Sequence, residues 1–206
     1  MDAGITDINE NIAGVVLAGG LARRMGGTDK ALMKLAGKTL AEHAIEALRP
    51  QVAKLAFNTA GGGGVENIPC IKDSIGGFAG PLAGVLAGLR WARAQGFHLL
   101  ASVAVDTPFF PANLVSSLAL SLRDENAQIA CAASMGRIHP VFGLWPVEIA
   151  DDLQEALVRE SLRKVVLFTN RYPLAVVEFS GKGHDPFFNI NHPEDMKEAE
   201  EIFAKR

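Results

Sequence analysis

Five short apolar runs punctuate the chain: Ala13–Leu17, Leu55–Asn58, Leu99–Val105, Ile129–Ala133 and Val141–Trp145. Continuous apolar runs of this length, bounded by turn residues, suit strands buried on both faces. Between them apolar positions recur at helical spacing. Leu40–Leu48 carries Leu40, Ala44, Ala47 and Leu48 on one face and is stopped by Pro50. Leu82–Ala94 follows Pro81 and Ala112–Leu122 follows Pro111, each placing proline where a first helical turn tolerates it. Val147–Val158 and Pro193–Phe203 complete the helices. Two later segments, Ala175–Val177 and Phe187–Asn189, read as strands close enough in sequence to pair antiparallel. Strands and helices alternating at this spacing predict a three-layer α/β fold with a mostly parallel sheet. At 206 residues, with no repeat and no linker-like stretch, the chain reads as one domain over 1–206, with a flexible N-terminus at 1–11.

Composition narrows the function classes. An apolar fraction of 49% and a charged fraction of 21% are those of a globular protein rather than a disordered one. A net charge of −3 gives no global reason to expect nucleic acid or a membrane surface as partner. The longest uncharged run, Ser74–Leu89, is too short and too rich in glycine to span a bilayer. Met1–Asn11 lacks the basic and apolar regions of a secretory signal. Cys70 and Cys131 are far apart in apolar surroundings, which reads as two buried thiols in a reducing cytosolic compartment.

In an open α/β sheet, ligands sit outside the carboxyl ends of the strands, so the residues after each strand carry the chemistry. The first run leads into Ala18-Gly-Gly-Leu-Ala-Arg-Arg-Met-Gly-Gly-Thr-Asp-Lys30. Its four glycines let backbone amides approach an anion closely. Arg23, Arg24, Lys30, Lys34 and Lys38 face only Asp29, a local excess of +4 in an acidic protein. The spacing fits neither a Walker A loop nor the Rossmann glycine pattern. A sharp turn with a solvated basic face is the competing explanation.

Asp106, with Thr107 and Pro108, ends another strand and is placed to hold Mg²⁺, which takes one or two carboxylates plus substrate phosphates. Asp106 or Thr107 capping the helix near Pro111 is the alternative. Asn58 and Asp73 also fall at strand ends, where each taken alone reads more readily as a turn residue than as a ligand contact. Gly80-Pro-Leu-Ala-Gly84 opens a helix whose glycines either pack closely on the sheet or leave an N-terminus open to an anion. Asn189 and Asn191 share one side of an extended segment, or else form a turn and a cap for the helix at Pro193. The five histidines show no metal-ligand spacing, and no nucleophile–base arrangement stands out; His139, His184 and His192 read as structural or exposed.

Leu17-Ala-Gly-Gly20 with Arg24-Met-Gly-Gly27 and Asp29-Lys30 resembles the signature of the molybdenum cofactor guanylyltransferases. Asp73, Gly80–Gly84, Asp106–Pro108, His139–Val141 and Asn189–Asn191 follow in that family's order, so the resemblance covers nearly the whole chain. It implies a Rossmann-like nucleotidyltransferase fold and transfer of GMP from GTP to molybdopterin, with release of pyrophosphate. It further implies that Leu17, Ala18, Gly19 and Gly20 contact the nucleotide and that Lys30 meets its phosphates. Asn58 and Asp73 would lie near guanine and ribose, and Asp106 would bind nucleotide and Mg²⁺. Gly80, Asn189 and Asn191 would lie toward the pterin. Partners beyond the substrates would be cofactor-delivery proteins or apo-molybdoenzymes. The chain departs from the family at His192, where threonine is usual, and in the Gly61–Gly64 stretch.

Acceptor phosphate attacking the α-phosphorus requires positioning and charge neutralisation rather than a covalent enzyme intermediate. Two rivals stand beside this expectation. One is a cytidylyltransferase or sugar nucleotidyltransferase of the same superfamily; cytidylyl relatives read Leu-Ala-Ala-Gly where this chain has Gly19. The other is a non-catalytic nucleotide- or cofactor-binding accessory protein, against which the joint presence of Lys30 and Asp106 argues.

Overall fold

The computed structural model describes residues 11–19, 30–59, 65–75, 80–181 and 183–205. In chain order, β1 (Ile12–Leu17) is followed by β2 (Lys34–Leu35), β3 (Lys38–Thr39), helix α1 (Leu40–Leu48), β4 (Lys54–Asn58) and β5 (Cys70–Ile71). Next come α2 (Pro81–Ala94), β6 (Leu99–Ala104), α3 (Leu114–Asp124), β7 (Ile129–Ser134) and β8 (Arg137–Pro146). Last are α4 (Ala150–Val158), α5 (Val165–Thr169), β9 (Leu174–Glu178) and α6 (Pro193–Ala204).

The main sheet has the order β5-β4-β1-β6-β8-β7-β9. β1 pairs parallel with β4 on one side and β6 on the other, and β5 extends the sheet beyond β4. β8 alone runs against its neighbours, β6 and β7, and β9 returns parallel to β7. The chain therefore reverses its direction of travel across the sheet at β1, a topological switch point that opens a crevice at the strands' carboxyl ends.

Alternation along β1 explains the three layers. Ile12 and Val16 join one apolar cluster with α1, α3 and α6, while Ala13, Val15 and Leu17 join another with α2, α4 and α5. Each large side chain so buried contributes about 1.5–3 kcal/mol of transfer free energy. Helix α2 presses against the sheet through glycine: a Cβ at Gly88 would stand 2.8 Å from Leu100 Cδ2, and one at Gly84 2.9 Å from Leu17 Cδ2. Close packing is thus the role of these two glycines. Helix α1 begins with a reciprocal cap, in which Glu42 N–H donates to Thr39 Oγ1 and the Glu42 carboxylate accepts from Thr39 N–H.

Several sequence expectations need correction. Ala175–Val177 belongs to β9, which pairs parallel with β7 rather than antiparallel with Phe187–Asn189. The latter is no strand: Phe187 N–H is spent on the Asp185 carboxylate and Phe188 N–H on Asp185 O, so the backbone turns. Helix α3 starts at Leu114, two residues later than expected, because Pro111–Leu114 closes a turn first. Val147–Ile149 is a 3₁₀ turn ahead of α4, and α5 is too short to leave a periodic signal. Cys70 is exposed because β5 is a two-residue edge strand, whereas Cys131 is buried and its thiol is pushed up to about 12 by that burial. Among the described residues, no helix is long and apolar enough to cross a membrane.

Candidate active site

The crevice at the switch point is a pocket of about 250 Å³. Its floor is the continuation of β1: Ala18 N–H donates to Asn58 O at 2.8 Å, and Val105 N–H donates to Leu17 O at 3.0 Å. These bonds hold the backbone of Leu17, Ala18 and Gly19 rigidly between the ends of β4 and β6, and all three residues line the pocket. Gly20 and the rest of the glycine-rich segment to Asp29 lie outside the described residues.

Asn58 closes β4 with a buried side chain. Its amide donates to Asp73 Oδ1 at 2.9 Å and to Ile71 O at 3.3 Å, so the pair forms one wall rather than two separate turns. Among the described residues no donor reaches Asp73 Oδ2. A Cβ at Gly19 would lie 3.6 Å from Asn58 Oδ1 and 3.9 Å from Asp73 Oδ2. The protein would accommodate that methyl, but only by filling the space between the loop and the wall.

Gly80 adopts φ +69° and Pro81 follows as the first residue of α2. Both line the pocket, as does Gly84, so the helix presents its positive end there while Gly88 packs on the sheet.

On the opposite side stands the charged centre. Lys30 Nζ donates to Asp106 Oδ2 at 3.0 Å and to Asn191 Oδ1 at 2.7 Å. The two charged side chains are only 16% and 18% exposed, which strengthens the pairing beyond that of a surface bridge. Lys38, by contrast, pairs with Glu46 on open surface. Asp106 is not a helix cap, since α3 begins after Asn113. Nor is Asn191 one: Asp195 accepts from the N–H groups of Asn191 and His192 at the start of α6. That leaves the Asn191 side chain to Lys30. Ile190 N–H donates to Asp106 O at 2.9 Å, fastening this turn to the end of β6 and bringing Asn189 into the pocket wall.

Among the described residues no cluster of three or more His, Cys, Asp or Glu side chains gathers as a metal cage. The donor set at Asp106 fits Mg²⁺ in another way. A single hard carboxylate beside a phosphate-sized space is what that ion uses when substrate supplies the remaining oxygens.

Sequence reasoning missed a second depression, a groove of about 510 Å³ that shares Ala104, Val141 and Asn189 with the pocket. Its wall is built from His139, which stacks on Phe187 with centroids 4.7 Å apart and planes 26° from parallel, and from Phe142 and Asp185. His139 sits in the His-Pro-Val segment, yet no spacing rule links it to residues some fifty positions away.

A pocket of backbone amides, one lysine and two carboxylates at a switch point suits a nucleotide and its phosphates. Residues 14–173 match the MobA-like NTP transferase domain, and the chain belongs to that family. Within it the chain is 46% identical over 198 residues to the molybdenum cofactor guanylyltransferase of Bradyrhizobium sp. (strain ORS 278), covering 94% of this chain and 93% of that one. It is 49% identical over 196 residues to the protein of that name from Rhodopseudomonas palustris (strain BisB5), covering 91% and 92%. The solved structure of molybdopterin-guanine dinucleotide biosynthesis protein A from Archaeoglobus fulgidus superposes with a TM-score of 0.74 at 25% identity, covering 94% of this chain and 100% of that one. The cytidylyltransferase for 2-C-methyl-D-erythritol 4-phosphate from Thermus thermophilus shares the fold, with a TM-score of 0.67 at 21% identity over 92% and 97% of the two chains.

Proposed function

We propose that this protein transfers GMP from GTP to the phosphate of molybdopterin, forming the guanine dinucleotide cofactor and pyrophosphate, in a Mg²⁺-dependent reaction. The observation that carries this reading is the Lys30–Asp106–Asn191 cluster, which stands where the nucleotide pocket and the adjoining groove meet. A cation there can exchange its carboxylate partner for a phosphate at the junction of two substrates. The names of the relatives support the choice of guanine and of the pterin.

The geometry supports the following residue roles. The Leu17–Gly19 backbone and the start of α2 receive the triphosphate, and Lys30 turns to its oxygens as charge builds there. Asp106 would hold Mg²⁺, whose chemistry when bound is to neutralise the phosphates. An acceptor phosphate oxygen attacks the α-phosphorus in line, and the bond to pyrophosphate breaks. No side chain has to remove a proton, because the nucleophile is already an anion.

Base choice has a physical rationale as well. Guanine presents N1–H and N2–H donors, which Asp73 Oδ2 can accept; cytosine offers only its amino group. The missing Cβ at Gly19 keeps the space beside that wall wide enough for a purine.

The deciding experiment is pyrophosphate release with molybdopterin as acceptor and GTP, CTP, ATP or UTP as donor. GTP should exceed CTP by at least about tenfold, a discrimination of about 1.4 kcal/mol. Equal use of CTP would move the protein to the cytidylyl group, and ATP turnover with no pterin present would end the pterin assignment. GTP binding without any pyrophosphate release would favour a non-catalytic carrier.

A further inference from the structure

The groove contains a serine, a histidine and an aspartate in mutual contact. Ser134 Oγ lies 2.6 Å from Asp185 Oδ1 and 2.8 Å from His139 Nε2. This is not a hydrolytic arrangement. The serine is the middle member rather than the end, and it is fully buried, so its oxygen is closed to any substrate.

The cluster fixes a tautomer instead. The Asp185 carboxylate only accepts, and it takes Phe187 N–H at 2.9 Å as well. Ser134 has one proton, and the shorter contact assigns it to Asp185. The serine oxygen must then accept from His139, so His139 Nε2 carries the hydrogen. In the neutral ring Nδ1 is left with a lone pair. Burial, the largest influence, lowers the His139 pKa below its ordinary value, and Arg137 adds to this against the opposing pull of Asp185 and Glu178. The neutral ring therefore prevails near neutral pH. Its stack on Phe187 holds the plane of the imidazole. Among the described residues Nδ1 makes no hydrogen bond, and His139 lines the groove beside Asn189 and Asn191.

We propose that His139 is a specificity-determining residue of the acceptor groove, whose Nδ1 accepts a hydrogen bond from an N–H group on a planar heterocyclic acceptor. Ser134 and Asp185 are positioning residues that hold the ring in the accepting form. This rests on the reading of the groove as the acceptor site. It adds the requirement that the acceptor's ring bear an amide or amino hydrogen, as a pterin does.

The test compares His139→Phe, which keeps a ring against Phe187 but has no nitrogen, with His139→Asn, whose amide oxygen can occupy the place of Nδ1. Steady-state kinetics with molybdopterin and GTP give each KM, and calorimetric titration of GTP on the same preparations reports whether the neighbouring pocket has folded. His139→Phe should raise the acceptor KM about tenfold and His139→Asn about threefold or less, with GTP affinity within about twofold of the parent in both. An unchanged acceptor KM in His139→Phe, with a parent enzyme that turns over molybdopterin, overturns the role of His139 and leaves the proposed function standing. Parallel loss of GTP affinity also overturns it, because His139 would then support the fold and not the acceptor. A parent enzyme that does not use molybdopterin takes down both readings.

Discussion

The two depressions meet at Asn189, yet they are made differently. The nucleotide pocket is formed by the ends of three parallel strands, with backbone groups, short polar side chains and one ion pair at its surface. The groove proposed for the acceptor lies over the antiparallel β8 and the turn ahead of α6, and its walls include aromatic rings and an imidazole held by a buried hydroxyl. The first can sense charge and phosphate geometry with little side-chain shape. The second sets Arg137, Asp185 and Asp195 beside its rings and can sense planarity and the pattern of donors. A pair of substrates that share phosphate chemistry and differ in their rings needs both kinds of surface.

Substitutions can test that division of labour. The largest effect is expected from Lys30→Ala, at about 2.7–4 kcal/mol in transition-state stabilisation by analogy with loss of one oxyanion donor. Lys38→Ala should be nearly silent, since Lys38 meets Glu46 on exposed surface. Equal losses in the two variants, measured as kcat/KM for GTP, would reduce the basic stretch to a solvated face. Asp106→Asn should lower turnover at least about a hundredfold, or 2.7 kcal/mol, and should also lower the melting temperature, because Lys30 loses its counter-ion while the fold persists. Magnesium should then no longer stabilise the protein in the presence of GTP, and near-parental turnover would remove Asp106 from the chemistry.

Gly19→Ala is expected to be smaller and more selective. Its methyl would reach van der Waals distance of Asn58 and Asp73 without a clash. The protein should fold normally, and the GTP-to-CTP ratio of kcat/KM should fall about tenfold, near 1.4 kcal/mol. An unchanged ratio would mean that the base lies elsewhere.

The smallest effect concerns stability on the groove side. His139 has a folded pKa below its unfolded value, so the unfolded chain takes up the proton first as pH drops. Its contribution to stability is complete above the unfolded value and declines below it. Melting temperatures taken between about pH 7.5 and 5.5 should fall more steeply for the parent than for His139→Phe. Parallel slopes would show that the ring is not held neutral by the fold.

The same contrast explains how much was legible in the sequence. The strands of the parallel half are short apolar runs, each followed by glycine, asparagine or aspartate, so Leu17–Gly19, Asn58 and Asp106 could be placed from the order of residues alone. Lys30 and Asp73 also fall in the pocket, and the ordered motifs of the family carried them; Gly80, which the resemblance put toward the acceptor, lines this pocket and not the groove. Of the groove, the family's order supplied Asn189 and Asn191 but no role for His139, Ser134 or Asp185. Phe187–Asn189 has the composition of a strand, and only the Asp185 carboxylate capturing Phe187 N–H makes it a turn. Ser134 and Asp185 are joined across 51 positions by β7 and the segment after β9, and no local periodicity encodes such a contact. His139 looked structural because its partners were invisible.

In the proposed reaction the Lys30–Asp106 pair would couple the arrival of two ligands. With neither present, each charge is the other's counter-ion, so folding leaves neither buried alone. To enter, a bare divalent ion would have to displace an ammonium from its carboxylate and leave that ammonium unmatched. A nucleotide without a metal would draw Lys30 away and strand the aspartate in the same manner. Only the joint arrival of phosphate and cation satisfies both groups at once. If the proposed reaction holds, the site would work as an AND gate, with each ligand tightening the other by linkage. In Lys30→Met that coupling should vanish, and Mn²⁺ binding followed by electron paramagnetic resonance should become independent of GTP apart from the contacts the nucleotide itself supplies.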